Sequence, residues 1–399
     1  MREPYKYHMK DFHFWKITLS LAFASFFVFA SIYVVQPLLP LFVQEFDVTV
    51  SASTLTLSMT IVGLILGLII LGFISDRVGR TPFIKLSLIG SVVPFFLIPL
   101  SESFYVIVFL RFIQGFALAG LPAAALAYLN EEMDRKSVGV ATALYISSNA
   151  LGGMAGRVLT GYLTDRYSWE TAFYVFAIVG VFVFIAVILL LPKSRFFEAS
   201  KLPFKKDMEG MGIHLKNPSL LLTVGLGIVL QLSFTSIWTY LPFHLEAEPF
   251  SLSLEAISYV FFAYGLGVVG APLAGWLAGN LGFRKVRIAG ILTMTLGACI
   301  TFSQSVSIIV IGLCVLCLGF FTAHSLTAAS VTEQATHHKG SASSLYLVAY
   351  YIGVTLGSSL GFLWNSVGWI GIVLLAVLLP LTYLIFVIGM QQRLSERNT

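Results

Sequence analysis

Charge is what this chain has least of. Only 11% of its 399 residues are Asp, Glu, Lys or Arg, against about 25% in a soluble domain. Hydrophobic residues make up 57% and the mean hydropathy is +0.89. No core of its own hides that much apolar surface, so lipid must be the solvent. Cysteine is scarce too. Cys299, Cys314 and Cys317 all lie in apolar runs, which excludes a disulfide framework. Cys314-x-x-Cys317 lacks the second ligand pair of a metal site, and no metal or cofactor is implied. The short alternation of barrel strands is missing. The apolar runs are continuous over about 20 residues, which makes them helices. No Walker element, paired buried carboxylates or Ser-His-Asp set stands out, so no enzyme reading has support.

What is present is a series of twelve apolar segments, at 17–43, 52–74, 82–101, 104–129, 138–163, 170–192, 218–243, 255–279, 286–304, 306–331, 342–364 and 369–390. The fold class is an all-α membrane protein of two pseudo-symmetric six-helix bundles. The N-terminal bundle covers 1–192 and the C-terminal bundle 218–399. Residues 193–217, basic and polar, form the linker between them, either an amphipathic helix on the leaflet or a tether, with Pro203 limiting any helix. The opening "MREPYKYHMKDFHFWK" is basic, but the run after it is too long for a signal-peptide core and has no cleavage site. It reads as the first span.

The formal charge of +5 invites a nucleic-acid reading, but topology explains it better. With both termini cytoplasmic, every Lys and Arg except Arg111, Arg157 and Arg166 falls on the inner side or at an inner span end, the positive-inside pattern. The expected setting is a bacterial plasma membrane, crossed many times, with lipid as the partner and no nucleic acid.

The two halves repeat. "SIYVVQPLLP" from Ser31 aligns with "SIWTYLPFHL" from Ser236, and "GFISDRVGR" from Gly72 with "GWLAGNLGFRK" from Gly275. "TALYISSNALGGMAG" aligns with "SSLYLVAYYIGVTLG", pairing Tyr145 with Tyr346, Gly152 with Gly353 and Gly156 with Gly357. The separation stays near about 200 residues at all three places, as an internal repeat requires.

On these residues the chain resembles the major facilitator superfamily, whose halves are parallel repeats about the membrane normal. "GFISDRVGRT" is similar to that family's signature loop between spans two and three, with Thr81 in place of the last basic residue. The C-terminal copy is degenerate, with Gly279 for Asp. "RFIQGFALAG" resembles the R-x-x-Q-G element of proton-linked members. "NALGGMAGRVLTG" resembles the glycine-rich fifth helix of the drug and metabolite antiporters, without its usual proline. The nearest group is the YnfM-like efflux permeases.

In the signature loop, Gly72 suits close helix approach and Gly79 a tight turn. Arg77 and Arg80 can pair with acids of the next cytoplasmic loop, Glu131, Glu132 and Asp134, and Asp76 lies where it could meet a helix N-terminus or a basic side chain. The expectation is a charged latch that holds the cytoplasmic side shut; the simpler reading is that these charges only fix topology. Arg111 lies inside the fourth span, with Gln114 one turn on. All 19 acids fall at span ends or in loops. Arg111, His324 and Asp76 are therefore the proton-coupling candidates, His324 because its charge changes near neutral pH. Arg111 and Arg157, with no embedded acid to offset them, favour anionic or neutral solutes over lipophilic cations. For Arg157 the alternative is a side chain snorkelling to the outer surface.

The resemblance implies that spans one, four, five, seven, eight, ten and eleven line the pathway. The matching positions are Tyr33, Gln36, Gln114, Tyr145, Asn149, Arg157, Gln231, Trp238, Tyr264, Tyr346 and Tyr350. Tyr145 and Asn149 share a helix face. The expected activity is secondary transport by alternating access, as proton-coupled efflux of a small organic solute by a monomer. An uptake symporter or facilitator on the same fold is the first rival, and a non-transporting membrane sensor the second.

Overall fold

The computed structural model describes residues 5–201, 209, 212–335 and 339–396. Part of the predicted linker, 202–208 and 210–211 with Pro203, and the chain ends at 1–4 and 397–399 lie outside the described residues. Twelve membrane helices are found among those described. They are α1 (Phe12–Glu45), α2 (Leu55–Val78), α3 (Arg80–Leu97), α4 (Phe104–Glu132), α5 (Val138–Arg166), α6 (Trp169–Leu190), α7 (Pro218–Glu246), α8 (Leu254–Leu281), α9 (Phe283–Ile300), α10 (Val306–Gln334), α11 (Lys339–Ser358) and α12 (Gly361–Glu396). All but α5, α9 and α11 meet the length and hydropathy of a membrane span. α5 falls short because glycines, Asn149 and Arg157 interrupt its apolar run.

Two boundaries differ from the sequence expectation. α1 is regular only to Tyr33, then passes through a 3-10 turn at Gln36–Leu38 before a short helix at Leu39–Glu45. Pro37 has no N–H to donate and its ring clashes with the carbonyl four residues back, so the helix breaks there. α11 ends at Ser358 instead of running to 364. The expected gap near 365–368 is a kink inside α12 at Gly368, with φ 68°.

The chain divides into two compact units. The first holds Met1–Asp47, Leu55–Lys201 and Ser253–Phe261; the second holds Val48–Thr54, Leu202–Leu252 and Phe262–Thr399. In the first, α1 packs on α5, α2 on α4 and α3 on α6. In the second, α7 packs on α11, α8 on α10 and α9 on α12. The same pairing order in both is what a repeated sequence should produce.

Small residues set these contacts, since lipid gives helices no hydrophobic reason to associate and close backbone packing must replace it. A Cβ at Gly152 or Gly156 of α5 would collide with the α1 backbone at Phe26 and Ala30. A Cβ at Gly353 or Gly357 of α11 would collide with α7 at Ile228 and Leu232. The glycine pairs matched in the sequence thus do the same work in each unit. Outward faces carry side chains such as Phe23, Phe109 and Phe182, each 60% or more exposed, as lipid contact allows.

Candidate functional site

The signature loop is a two-helix corner. α2 ends at Val78 and α3 begins at Arg80, so Gly79 alone makes the turn, at φ 122° and ψ 155°. A side chain is strained there. Gly72 plays a different part from the one expected: a Cβ there would meet only the Ala123 Cβ, at 3.8 Å, an ordinary contact. The tight α2–α4 approach lies deeper, where Gly115 abuts the Thr60 backbone.

Asp76 pairs with Arg80 one turn on, and Arg80 Nε donates to Glu131 Oε1 at 3.0 Å. The Arg80 guanidinium is nine-tenths buried and shared by two carboxylates from different helices. Arg77 Nη1 donates to the Phe73 carbonyl at 2.8 Å and its guanidinium lies over the Phe73 ring.

Glu132 takes a role the sequence did not disclose. It has no exposed surface. Arg195 Nε donates to its Oε2 at 3.0 Å. The backbone N–H groups of Arg195 and Phe196 and the Ser194 hydroxyl converge on Oε1. Glu132 therefore anchors the first residues of the predicted linker, which are not helical. The Ser200 N–H donates to the Asp76 carbonyl at 2.8 Å, so the same stretch also touches the signature loop. The N-terminal segment joins this assembly: Tyr7 bridges Met133, and the Arg195 guanidinium lies 3.8 Å from the Tyr7 ring centre. Asp134 holds the turn that leads into α5, accepting from the Ser137 and Lys136 N–H groups, and pairs with His8 at 3.2 Å. Its carboxyl sits below the ordinary range, chiefly through the Ser137 side chain.

Arg111 is fully buried in α4. Its donors go to the carbonyls of Ser31 (3.0 Å), Ile32 (2.8 Å) and Thr56 (3.3 Å) and to the Gln114 amide oxygen. Gln114 passes its own N–H to the Ser91 carbonyl at 2.7 Å. The reason is local. The break after Tyr33 strips the last α1 carbonyls of their helical donors, and in lipid each must be satisfied within the protein. Arg111 supplies those donors, and its positive charge suits a helix C-terminus.

The same break exposes the next site. Gln36, in the 3-10 turn, accepts from Arg157 Nε of α5 at 2.5 Å. Arg157 Nη1 donates to the Gly153 carbonyl at 2.6 Å, and the guanidinium lies 3.9 Å from the Tyr33 ring centre and 5.4 Å from that of Phe261. At 1% exposure Arg157 does not snorkel to the surface. Two turns earlier on α5, Asn149 accepts from the Ser25 hydroxyl, and Tyr145 is buried beside it.

The second unit gathers its candidates along an aromatic run. Trp238 packs on Tyr264 with ring centres 4.5 Å apart, Phe234 stacks on Phe320 at 3.8 Å, and Phe320 stacks on His324 at 5.3 Å. His324 Nδ1 and the Tyr346 hydroxyl share a 2.8 Å hydrogen bond, and Tyr350 leans on the same imidazole. Gln231 is buried; its N–H bonds Thr235 while its Oε1 has no partner among the described residues. Arg287, counted in the sequence among topology-setting charges, is buried in α9 with Nη1 on the Ser330 hydroxyl at 3.2 Å. Among the described residues no group of three or more His, Cys, Asp or Glu is placed to hold a metal.

Comparison with known proteins matches this chain to the model described as Major Facilitator Superfamily, over residues 21–247 and 223–398. The MFS-type transporter YybF of Bacillus subtilis (strain 168) is 34% identical, across 90% of this chain and 89% of its own length. The inner membrane transport protein YnfM of Escherichia coli (strain K12) is 32% identical, across 90% of this chain and 86% of its own. Among solved structures, the nucleoside transporter NupG superposes with a TM-score of 0.77 at 12% identity, across 92% of this chain and 99% of that one. At that identity the likeness speaks for the fold.

Proposed function

As a member of the Major Facilitator Superfamily the chain is a multi-pass membrane transporter, not an enzyme, and we propose that it exports a small anionic or neutral organic solute in exchange for protons. The observation that carries the substrate class is the Arg157 guanidinium, buried against Gln36 and the Tyr33 ring. A buried cation beside the break in α1 disfavours lipophilic cations and favours anions or neutral solutes. In this reading the halves 1–192 and 218–399, joined by 193–217, alternate access in a bacterial plasma membrane, with both termini cytoplasmic and the protein monomeric.

Roles follow from the contacts. Asp76, Arg80 and Glu131 form the cytoplasmic latch in this reading, one buried guanidinium tying α3 to carboxylates of α2 and α4 within the first half. His324 is assigned the proton-carrier role because its imidazole is hydrogen-bonded to the hydroxyl of Tyr346 on another helix. Arg111 is assigned to holding α1 open at its break.

Inside-out vesicles with an acidic interior test this. Anionic, neutral and cationic solutes are added singly, and collapse of the pH gradient is recorded for the wild type and for Asp76→Asn. Collapse by an anionic or neutral solute in the wild type alone is expected. Quaternary ammonium dyes as the best substrates would overturn the substrate class. Flux that ignores the gradient would replace the exporter with a facilitator.

A further inference from the structure

Arg287 is the oddest charge in the second unit. It is 9% exposed, and among the described residues its Nε is buried with no hydrogen-bond partner. Among the same residues its Nη1 donates to the Ser330 hydroxyl of α10 at 3.2 Å. Among the described residues no carboxylate forms an ion pair with it. A buried guanidinium left with an unmade bond is costly, since the donor forfeits water and gains nothing in return.

The internal repeat shows that the fold does not need this charge. Gly79 and Gly282 turn the corresponding helix corners, both at positive φ. Counted from them, Ile84 and Arg287 hold the same position. Ile84 is fully buried, an apolar side chain in an apolar place. The second unit has put an arginine where its counterpart packs an isoleucine.

The surroundings are tuned for negative charge. α9 opens with Arg284, Lys285 and Arg287, with no acid in its first turn and no side-chain cap on its N–H groups. Cations there oppose the helix dipole and are unfavourable for α9 alone.

We infer that Arg287, with Ser330, binds the oxyanion of the transported solute, a carboxylate or phosphate, on the inner side of the second unit. This rests on the carried solute being an anion. The free Nε supplies the missing hydrogen bond, and the guanidinium fork matches a two-oxygen acceptor.

The test uses proteoliposomes of phosphatidylcholine alone, with benzoate, succinate and glucose 6-phosphate as anionic probes and benzamide as the neutral one. The wild type is measured beside R287I, which installs the residue of the other repeat, and R287K, which keeps the charge and loses the fork. R287I is expected to unfold at the same or a higher temperature and to raise KM for the transported anion at least about tenfold. R287K is expected to fall between, and benzamide to be unaffected. Unchanged anion KM in folded R287I, or in R287K should R287I not fold, overturns the inference and leaves anion transport standing. No transport of any anionic probe by the wild type, with benzamide moving, overturns the anion reading itself and this site with it. An Arg287 dependence that arises only when phosphatidylglycerol is added assigns the site to lipid headgroups and overturns the solute assignment.

Discussion

Arg195 reaches across 63 residues of sequence to place its Nε 3.0 Å from Glu132, a carboxylate with no exposed surface. The contact fastens the stretch that follows α6 to the end of α4, beside the loop that carries Asp76 and Arg80. A segment expected either to lie on the leaflet as an amphipathic helix or to be a tether is, at its start, fastened to the first unit beside the signature loop.

Glu132→Ala should therefore destabilise the protein by about 3 kcal/mol, since it strands Arg195 and the Arg195 and Phe196 N–H groups together. Glu132→Gln, which keeps one acceptor, should cost less. Thermal unfolding in detergent reads both. Equal stability of Glu132→Ala and wild type would show the carboxylate to be dispensable.

Two glycines of one motif should behave oppositely. Gly79→Ala forces a side chain to φ 122° and should cost about 1–3 kcal/mol. Gly72→Ala meets an ordinary contact with Ala123 and should fall within about 0.5 kcal/mol of wild type. Denaturation midpoints and membrane abundance of the pair decide it.

The two buried arginines of the first unit should separate by phenotype. Arg111→Gln removes donors from three backbone carbonyls and should lower stability by about 3 kcal/mol or more, with flux per folded molecule largely kept. Arg157→Gln should insert normally and raise KM for an anionic solute about tenfold or more. Measured flux normalised to folded protein distinguishes them. The reverse pattern would exchange their roles.

Docking of the N-terminal segment should be sensitive to acid. The Asp134 carboxyl is held below the usual range, first by the Ser137 side chain, then by the Lys136 N–H and His8. A carboxyl depressed in the folded state contributes stability above its unfolded pKa and loses it as pH falls through the lower folded value. Docking should thus persist at neutral pH and loosen only below the ordinary carboxylate range. The Met9 N–H, which donates to Ser137 Oγ at 3.1 Å, reports this by hydrogen exchange corrected for intrinsic rate. In Asp134→Asn it should exchange faster already at neutral pH.

The sequence by itself determined the class of solvent, the helical content and the repeat. Hydropathy sums over about 20 residues, so a few misplaced residues do not hide a span, and glycines that serve backbone contact recur at the same places in both halves. Gly79 was legible for the same reason: two charged helix ends with one glycine between them leave few conformations. Partner choice was not legible. Glu131 and Glu132 are neighbours in sequence, yet a helix turns successive side chains about 100° apart, so one meets Arg80 and the other Arg195. Arg111, Arg157 and Arg287 are identical letters in apolar surroundings. Only the tertiary structure decided that the first caps broken backbone, the second sits on Gln36 and Tyr33, and the third is buried against Ser330. Each depends on where a helix breaks or ends, at Pro37 for the first two and at Gly282 for the third, and on which neighbouring carbonyls or hydroxyls that end leaves within reach.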